Sequence, residues 1–203
     1  PVKKLPKEVQ MSPCGKSFLT ELHHLLSTRE RKTIDDLPYP HAAVLVPFFE
    51  KGGECHLLFT KRSDQVKHHK GQISFPGGVF DKEDGSLAQT ALRESFEEVG
   101  LKPSDVHLIG SLDDIITTTR FIVTPFVGLF PYPYPFRVSE VEIAELIEVP
   151  LSSLLKRDAL GQMVIREGDH ERIVDAYRYG RHTIWGATAR ILKQLLELIP
   201  KPR

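Results

Sequence analysis

The chain has 203 residues, and its 27 Lys and Arg residues balance 27 Asp and Glu residues, so the formal net charge is zero. This length suits one domain with an appended helix and can form a core without disulfide or metal staples. Zero net charge argues against a dedicated nucleic-acid or membrane-surface binder, since such proteins usually carry a basic excess.

The sequence lacks the features of disulfide-rich, zinc-bound or membrane-inserted proteins. Its two cysteines, Cys14 and Cys55, have neither C-x-x-C nor zinc-site spacing. No apolar run approaches the roughly 20 residues that span a bilayer, and the first residues lack the apolar core of a signal peptide. We therefore expect a cytoplasmic protein.

Hydrophobic periodicity and turn residues predict a mixed α/β chain without internal repeats. Apolar residues at helical spacing indicate helices, and apolar runs bounded by glycine or proline indicate strands. In chain order we expect a helix at 17–31, strands at 42–49, 55–60 and 73–75, a helix at 86–99, strands at 106–112, 121–130, 163–166 and 173–177, and a helix at 183–198.

Two connections between these elements are informative. Lys51-Gly52-Gly53-Glu54 joins two apolar runs and is typical of a β-hairpin turn. The segment 131–136 has proline at alternate positions, which excludes regular structure; we interpret it as a rigid connector, with a lid over substrate as the alternative. Residues 1–35 would form an N-terminal extension with a helix, and residues 36–199 one domain of the α/β (α+β) class that includes the C-terminal helix.

The predicted central helix carries the most informative acids. At about 100° per residue, Glu94, Glu97 and Glu98 fall on one face and the apolar residues on the opposite face. Like charges on one face repel, and a hard divalent cation removes that conflict because it prefers carboxylate oxygens. A solvated acidic face is the alternative. Arg93 lies one turn before Glu97 and can pair with it.

The residues around this helix resemble the Nudix box, whose general pattern is G-x5-E-x7-R-E-U-x-E-E-x-G-U, with U a bulky aliphatic residue. Three positions depart from the pattern. Asp84 replaces Glu, eight residues rather than seven separate it from Arg93, and Ser95 replaces the bulky aliphatic residue. The remaining seven fixed positions match: Gly78, Arg93, Glu94, Glu97, Glu98, Gly100 and Leu101.

A second stretch resembles one branch of that family, the coenzyme A pyrophosphatases. The branch has the upstream motif L-L-T-x-R-S-x3-R-x3-G-x3-F-P-G-G, and residues 58–78 are similar to it, with Lys67 where Arg is usual. Residues 184–189 are also similar to that branch. The resemblance covers about residues 40–199 and implies the Nudix fold, a mixed β-sheet sandwiched between helices (α/β/α).

The resemblance also implies a Mg²⁺- or Mn²⁺-dependent hydrolase. Glu94 and Glu98 would be the main metal ligands, Glu97 would join them or pair with Arg93, and the Gly77 carbonyl would be a further ligand. A late acid often completes such a site and would contribute to catalysis. The candidates here are Glu140, Glu142, Glu145 and Glu148, of which Glu142 and Glu145 are favoured.

The residues upstream of the box would bind the substrate. The basic stretch supplies Lys61, Arg62, Lys67 and Lys70, which we interpret as a wall for the substrate's diphosphate and 3′-phosphate, with a solvated basic loop as the alternative. Zinc binding by His68 and His69 has no supporting partner spacing. Further substrate-binding candidates in the same motif are Gly71, Ser74 and Phe75.

The favoured function is hydrolysis of coenzyme A, or of a derivative, to adenosine 3′,5′-bisphosphate and 4′-phosphopantetheine. The alternatives are a Nudix pyrophosphatase for ADP-ribose, a dinucleotide or an oxidised nucleotide, and a non-catalytic Nudix-fold binding module. A P-loop enzyme is excluded because no G-x-x-x-x-G-K-[ST] occurs. We expect a small nucleotide substrate as the partner, without nucleic acid or membrane, and a homodimer is compatible with the sequence.

Overall fold

The computed structural model describes residues 15–66, 69–167 and 170–199. Its helices are α1 (Lys16–Thr28), α2 (Leu87–Val99), α3 (Leu151–Leu154) and α4 (Gly186–Leu198). Its strands are β1 (His41–Lys51), β2 (Glu54–Arg62), β3 (Ile73–Ser74), β4 (Gly77–Val79), β5 (His107–Ser111), β6 (Ile115–Ile116), β7 (Ile122–Leu129), β8 (Ile143–Pro150), β9 (Leu160–Glu167), β10 (His170–Tyr179) and β11 (His182–Trp185). Short 3₁₀ turns occur at Lys82–Asp84 and Pro103–Asp105.

The larger sheet is built around β1. The strand order is β3-β2-β1-β7-β5, with β4 paired to β1, β6 to β7 and β8 to β2. β1 runs antiparallel to β2 and β4 but parallel to β7, so the sheet is mixed. Gly52 and Gly53 have positive φ at the hairpin turn, which confirms the predicted β1–β2 hairpin.

Side chains along β1 alternate between two cores, one on each face of the sheet. Ala43 and Leu45 lie in a core with apolar residues of α2. Val46 and Phe48 lie in a larger core with apolar residues of α1, α3 and α4. Helices therefore cover both faces of a mixed sheet, which confirms the predicted fold class.

A second sheet of three strands has the order β11-β10-β9. It is joined to the rest of the domain by contacts of β11 with β3 and of β10 with α3 and α4. The small sheet therefore lies on the same side of the larger sheet as α4. Each helix within the described parts of the chain is too short or too polar to cross a membrane.

Some predicted elements were wrong where strand pairing joins distant parts of the chain. The predicted helix at 183–198 begins at Gly186, because the residues before it pair with β10 as β11. Residues 77–79 and 143–150 carry no predicted strand, yet they form β4 and β8 by pairing with β1 and β2. Local periodicity does not reveal such partners, since they lie far apart in sequence.

The first helix ends at Thr28, three residues earlier than predicted, because the following residues bind the larger sheet. Arg29 pairs with Asp113, and Arg31 pairs with Asp114 at 3.1 Å. The side chain of Asp114 also accepts hydrogen bonds from the Ile34 amide at 3.0 Å and from Thr124 Oγ1 at 2.6 Å. These contacts fix the connection between α1 and β1.

The proline-rich segment at 131–136 packs as a connector, as expected. Its peptide bond between Tyr132 and Pro133 is cis. The ring of Tyr132 stacks on Phe49 with centroids 4.7 Å apart, and Tyr134 meets Phe130 edge-on. The segment thus closes the core on the α2 side of the sheet.

Candidate active site

The two ends of α2 are fixed by capping contacts, which hold the box acids in register. Ser86 Oγ accepts a hydrogen bond from the Gln89 amide at the N-terminus. Gly100 adopts the left-handed conformation (φ 74°) at the C-terminus, and its amide donates to the Phe96 carbonyl. A Cβ at Gly100 would lie 2.8 Å from the backbone nitrogen of Arg137. Glycine is therefore needed both for the left-handed conformation and because a side chain has no space there.

Ser95 occupies the box position where a bulky aliphatic residue is usual. Its side chain is fully buried, and its hydroxyl donates to the Ala91 carbonyl at 2.6 Å. A small residue at this position lets the buried face of α2 lie close to the sheet, and its hydroxyl needs no partner outside the helix.

Arg93 is the centre of the charge network at the site. Its Nε and Nη2 donate to the two oxygens of Asp84 at 2.6 and 3.0 Å. Its Nη1 donates to Glu94 at 2.8 Å and to Glu97 at 3.1 Å. Nη2 also donates to the Val79 carbonyl. The pair between Arg93 and Glu97 expected from their spacing is therefore present.

Asp84 takes the place of the box glutamate and is held as an anion. Besides the two bonds from Arg93, it accepts hydrogen bonds from Thr90 Oγ1 at 2.8 Å and from the Asp81 amide at 3.1 Å. The guanidinium of Arg93 holds the pKa of Asp84 far below its usual range. The extra loop residue offsets the shorter side chain, because Asp84 still reaches Arg93 in bidentate geometry.

Glu98 is nearly fully buried, with a side chain only 4% exposed. Arg62 Nη1 lies 4.0 Å from its Oε1. Burial raises the pKa of Glu98 to about 8; the charge of Arg62 opposes this shift, and those of Glu94 and Glu142 add to it. Among the described residues its second oxygen, Oε2, has no hydrogen-bond partner, an unusual state for a buried carboxylate oxygen.

Glu94 and Glu97 are more accessible than Glu98. The Glu97 side chain is 53% exposed, whereas Glu94 is half-buried and burial raises its pKa against the opposing effect of Arg93. A Cβ at Gly78 would lie 2.4 Å from the Glu94 carboxylate. A side chain at Gly78 would therefore displace the Glu94 carboxylate, which packs directly against the backbone of β4.

Gly77 has a similar steric requirement on the other side of β4. A Cβ at this position would lie 2.3 Å from the Ala43 carbonyl oxygen. The Gly77 backbone slightly lowers the pKa of Glu98, whereas the role of its carbonyl as a metal ligand stays a prediction. The consecutive glycines thus let one strand fit between β1 and α2.

The carboxylates fit a divalent cation, although they do not form a finished site. Within residues 15–66, 69–167 and 170–199, no three His, Cys, Asp or Glu side chains are already grouped as metal ligands. The unpartnered Oε2 of Glu98 and the Glu94 carboxylate against Gly78 still offer oxygens of the type that Mg²⁺ prefers. A cation between them would satisfy the buried oxygen and reduce repulsion between the acids.

Glu142 is the late acid whose charge acts on the box acids. It lies directly before β8 and is exposed, and its charge raises the pKa of both Glu94 and Glu98. Its carbonyl accepts a hydrogen bond from the Ser63 amide at 2.8 Å, which ties this segment to the end of β2.

The other favoured late acid, Glu145, lies in a different environment. It is opposite Lys61 in the pairing of β8 with β2. Arg181 Nη2 donates to it at 2.8 Å, and His182 Nε2 is 3.4 Å from the same oxygen. The structure therefore does not bring Glu145 together with Glu142, and it adds two neighbours from the β10–β11 turn that no local sequence pattern indicated.

The two remaining late acids have different neighbours. Glu148 pairs with Lys51 and accepts from the Tyr132 hydroxyl, in the aromatic region below the site. Glu140 is exposed in the loop before β8.

Lys61 and Arg62 are adjacent on β2, so their side chains leave opposite faces of the sheet. Arg62 lies beside Glu98, and Lys61 lies beside Glu145. The backbone of Arg62 is bound on both sides, since its amide donates to the Gln72 carbonyl and its carbonyl accepts from the Gly71 amide. This pairing holds the predicted glycine of the motif next to the predicted cation.

The rest of the predicted substrate-binding motif separates into surface and core. Lys67 and His68 lie outside the described residues, and Lys70 is exposed. Ser74 is half-buried, with its hydroxyl 3.3 Å from Thr60 Oγ1. Phe75 is 2% exposed and stacks on Phe59 at 4.6 Å, so its side chain packs the core rather than facing open substrate space, which differs from its expected role.

Comparisons with known proteins agree with this geometry. The NUDIX domain family model matches residues 39–161. The protein named Uncharacterized Nudix hydrolase NudL from Yersinia enterocolitica is 41% identical over 159 residues, which cover 78% of this chain and 81% of its own length. The protein of the same name from Cronobacter sakazakii is 39% identical over 187 residues, covering 91% and 95%.

A solved structure shows the same fold. The MutT/nudix family protein from Enterococcus faecalis aligns with a TM-score of 0.51 and 16% identity, over 88% of this chain and 66% of that one. The domain match, the curated relatives and the box acids around Arg93 lead to one conclusion. This chain belongs to the Nudix family and is a hydrolase that acts on diphosphate bonds.

Proposed function

We propose that this hydrolase cleaves the diphosphate of coenzyme A or its derivatives. The products would be adenosine 3′,5′-bisphosphate and 4′-phosphopantetheine or its derivative. The observation that carries the proposal is the contact between the upstream motif and the box, where Arg62 lies 4.0 Å from Glu98. The resemblance of residues 58–78 to the coenzyme A pyrophosphatase branch gives this contact its substrate class.

Nudix hydrolases generally use divalent metal ions, and we propose Mg²⁺ or Mn²⁺ for this chain. Glu94 and Glu98 would hold the ion, with Glu97 or the Gly77 carbonyl as a further ligand. A bound divalent ion neutralises the diphosphate and lowers the pKa of water. The orphaned Oε2 of Glu98 supports this assignment, because a buried carboxylate oxygen without a donor is suited to a cation.

The protein's own residues would position the reacting groups. Asp84 fixes the Arg93 guanidinium, which in turn holds Glu94 and Glu97, so these acids need little reorganisation when substrate binds. Glu142 is our candidate for accepting the proton of the attacking water, since it is exposed and its charge reaches Glu94 and Glu98.

Basic residues would hold the phosphates. Arg62 is placed beside the acids, and its guanidinium can bind a phosphate in bidentate geometry. Lys61, Lys67 and Lys70 are proposed for the remaining negative charges of the substrate. The cytoplasmic location and a homodimeric state stay predictions from the sequence.

The test is incubation with coenzyme A and Mg²⁺ or Mn²⁺, followed by separation of the products. We expect equimolar adenosine 3′,5′-bisphosphate and 4′-phosphopantetheine, and no product in the presence of a chelator. Parallel incubations contain ADP-ribose, a dinucleotide and an oxidised nucleoside triphosphate. The proposal fails when coenzyme A yields no adenosine 3′,5′-bisphosphate between neutral and alkaline pH, or when another substrate has a much higher kcat/KM.

A second comparison tests the basic wall. The 3′-dephospho form of coenzyme A lacks one phosphate, so it should be cleaved with a kcat/KM about tenfold lower, which corresponds to roughly 1.4 kcal/mol. The Lys70→Gln variant should lose most of this preference, whereas Lys156→Gln, an exposed lysine after α3, should keep it. Equal kcat/KM for both substrates would contradict the phosphate-binding role.

A further inference from the structure

A pocket of about 210 Å³ lies beside β4, and the backbones of Gly77 and Gly78 form part of its wall. Two further walls are Val44 of β1 and Val123 of β7, which belong to or pack against the core on the α4 side of the sheet. The box acids lie on the α2 side. The pocket and the acids are therefore separated by little more than the glycine backbone of β4.

The lining of this pocket is uncharged and largely apolar. The apolar contacts come from Ala42, Val44, Val79, Phe121 and Val123. The polar side chains of the lining are those of Thr117, Thr119 and His69. Among the described residues that line it, none is Lys, Arg, Asp or Glu.

This lining suits one of the two arms of the proposed substrate, the nucleotide arm or the pantetheine arm, better than the other. The inference rests on the proposed function, because it takes coenzyme A as the substrate. The nucleotide arm of coenzyme A carries a 3′-phosphate. Burying this phosphate in an uncharged pocket is unfavourable, because it has no cationic partner there. The pantetheine arm is uncharged, with a gem-dimethyl group, methylene groups and two amides. The described cations of the motif, Lys61, Arg62 and Lys70, do not line this pocket.

We propose that the pocket beside β4 binds the pantetheine arm of the substrate. The apolar residues contact the dimethyl and methylene groups. Thr117 Oγ1 accepts from the Phe121 amide at 3.0 Å and lies 3.0 Å from Thr119 Oγ1, so the exposed Thr119 hydroxyl is the group placed to bind an amide. Gly77 and Gly78 then separate the arm from the diphosphate, which lies with Glu94 and Glu98. Val79 and Phe121, which line the pocket, would then determine the specificity for the pantetheine arm.

Val79 offers a direct test because its side chain lines the pocket and is 51% exposed. Only its main-chain carbonyl contacts Arg93, and that contact survives a change of side chain. The Val79→Phe variant would fill part of the pocket. Val164→Phe is the matched control, since Val164 is 52% exposed on strand β9 of the second sheet.

We expect Val79→Phe to raise the KM for coenzyme A about tenfold, with kcat changed less than about threefold. In calorimetry with Mg²⁺, it should weaken binding of 4′-phosphopantetheine about tenfold and leave adenosine 3′,5′-bisphosphate unaffected. Val164→Phe should change none of these values. Thr119→Phe, from the other wall, should repeat the effect, and it replaces Val79→Phe when thermal unfolding shows that this variant is not folded.

The other outcomes overturn the inference. Unchanged KM and unchanged 4′-phosphopantetheine binding would show that the arm lies elsewhere. Weaker binding of adenosine 3′,5′-bisphosphate alone would assign the pocket to the nucleotide. Failure of the proposed function gives a different result: the wild-type protein then releases no adenosine 3′,5′-bisphosphate from coenzyme A. That result would also overturn the assignment of the pocket to the pantetheine arm.

Discussion

The box helix and the segment 139–150 both carry acids of the candidate site, but their geometry is determined in different ways. On α2, the spacing of Glu94, Glu97 and Glu98 defines a shared face because a helix is a local structure. At the start of β8, Glu142 lies in the turn before the strand and Glu145 lies within it, next to a register shift in the pairing with Lys61 and Arg62, so a local period does not give their relative placement. Pairing with β2, more than 80 residues earlier, decides which acid approaches the box.

The difference extends to burial within the box itself. Helical spacing places Glu97 and Glu98 side by side, yet Glu97 is 53% exposed and Glu98 is 4% exposed. The reason is that β4 and Arg62 cover Glu98 from the sheet side, and neither neighbour is visible in the periodicity of α2. Local rules therefore identify the acids, and non-local packing assigns their chemistry.

The largest expected loss of activity is that of Glu98→Gln, which tests the contrast between the buried Glu98 and the exposed Glu97. The variant keeps the shape of the side chain but removes the charge of the proposed buried metal ligand, so kcat should fall roughly 10³-fold. Glu97→Gln should cost less, because that carboxylate is exposed and shared with Arg93. Both are measured as product release from coenzyme A with saturating Mg²⁺. Full activity of Glu98→Gln would refute its role in metal binding.

A smaller effect is expected from Arg93→Lys, which breaks the network on the box side. Lysine keeps the charge but cannot bind Asp84 in bidentate geometry and reach Glu94 and Glu97 at once. We expect kcat to fall about 10²-fold and the free energy of unfolding by about 2 kcal/mol. Chemical denaturation and steady-state kinetics measure the two effects.

Arg190→Lys provides the control for that substitution. Arg190 is exposed and donates to the Ile116 carbonyl, outside the charge network. Equal losses in the two variants would mean that the network around Arg93 has no special role.

The burial of Glu98 gives a pH dependence of stability with a defined sign. Its pKa rises from an ordinary value of 4.5 to about 8 in the folded chain. Between these values the folded state binds a proton that the unfolded state has lost, so the free energy of unfolding decreases as pH rises, by up to about 1.4 kcal/mol per pH unit. Glu98→Gln should remove this slope.

Urea unfolding between pH 5.5 and 8.5, without metal, measures this difference between wild type and Glu98→Gln. Asp84 has a lowered pKa and stabilises the fold above its ordinary value of 3.8, so its contribution is constant across this range. Added Mg²⁺ should reduce the wild-type loss at high pH, because the ion binds the ionised carboxylate. Parallel pH profiles for the two proteins would contradict the burial of an ionisable Glu98.

The sequence predicted the hairpin and α2, since turn glycines and helical spacing act over a few positions. It identified Asp84 as a departure from the box, although the compensating bidentate contact with Arg93 needed the structure. β4, β8 and β11 were missed, because their strands are defined by partners far away in sequence. The burial of Phe75 against Phe59 and the contact of Arg62 with Glu98 could not be predicted for the same reason.

The smallest predicted effects distinguish Glu142 from Glu145 and test the opening comparison most directly. Glu142→Gln should lower kcat about tenfold, because the proposed role needs a carboxylate near the box acids. Glu145→Gln should leave kcat nearly unchanged and lower the free energy of unfolding by about 0.5 kcal/mol, since its pair with the exposed Arg181 is screened by water. The two substitutions are chemically identical and three residues apart, so the backbone setting, a turn for Glu142 and a paired strand for Glu145, is the variable that separates them. A larger loss of kcat in Glu145→Gln would mean that the catalytic acid is the one in contact with Arg181 and His182 of the β10–β11 turn.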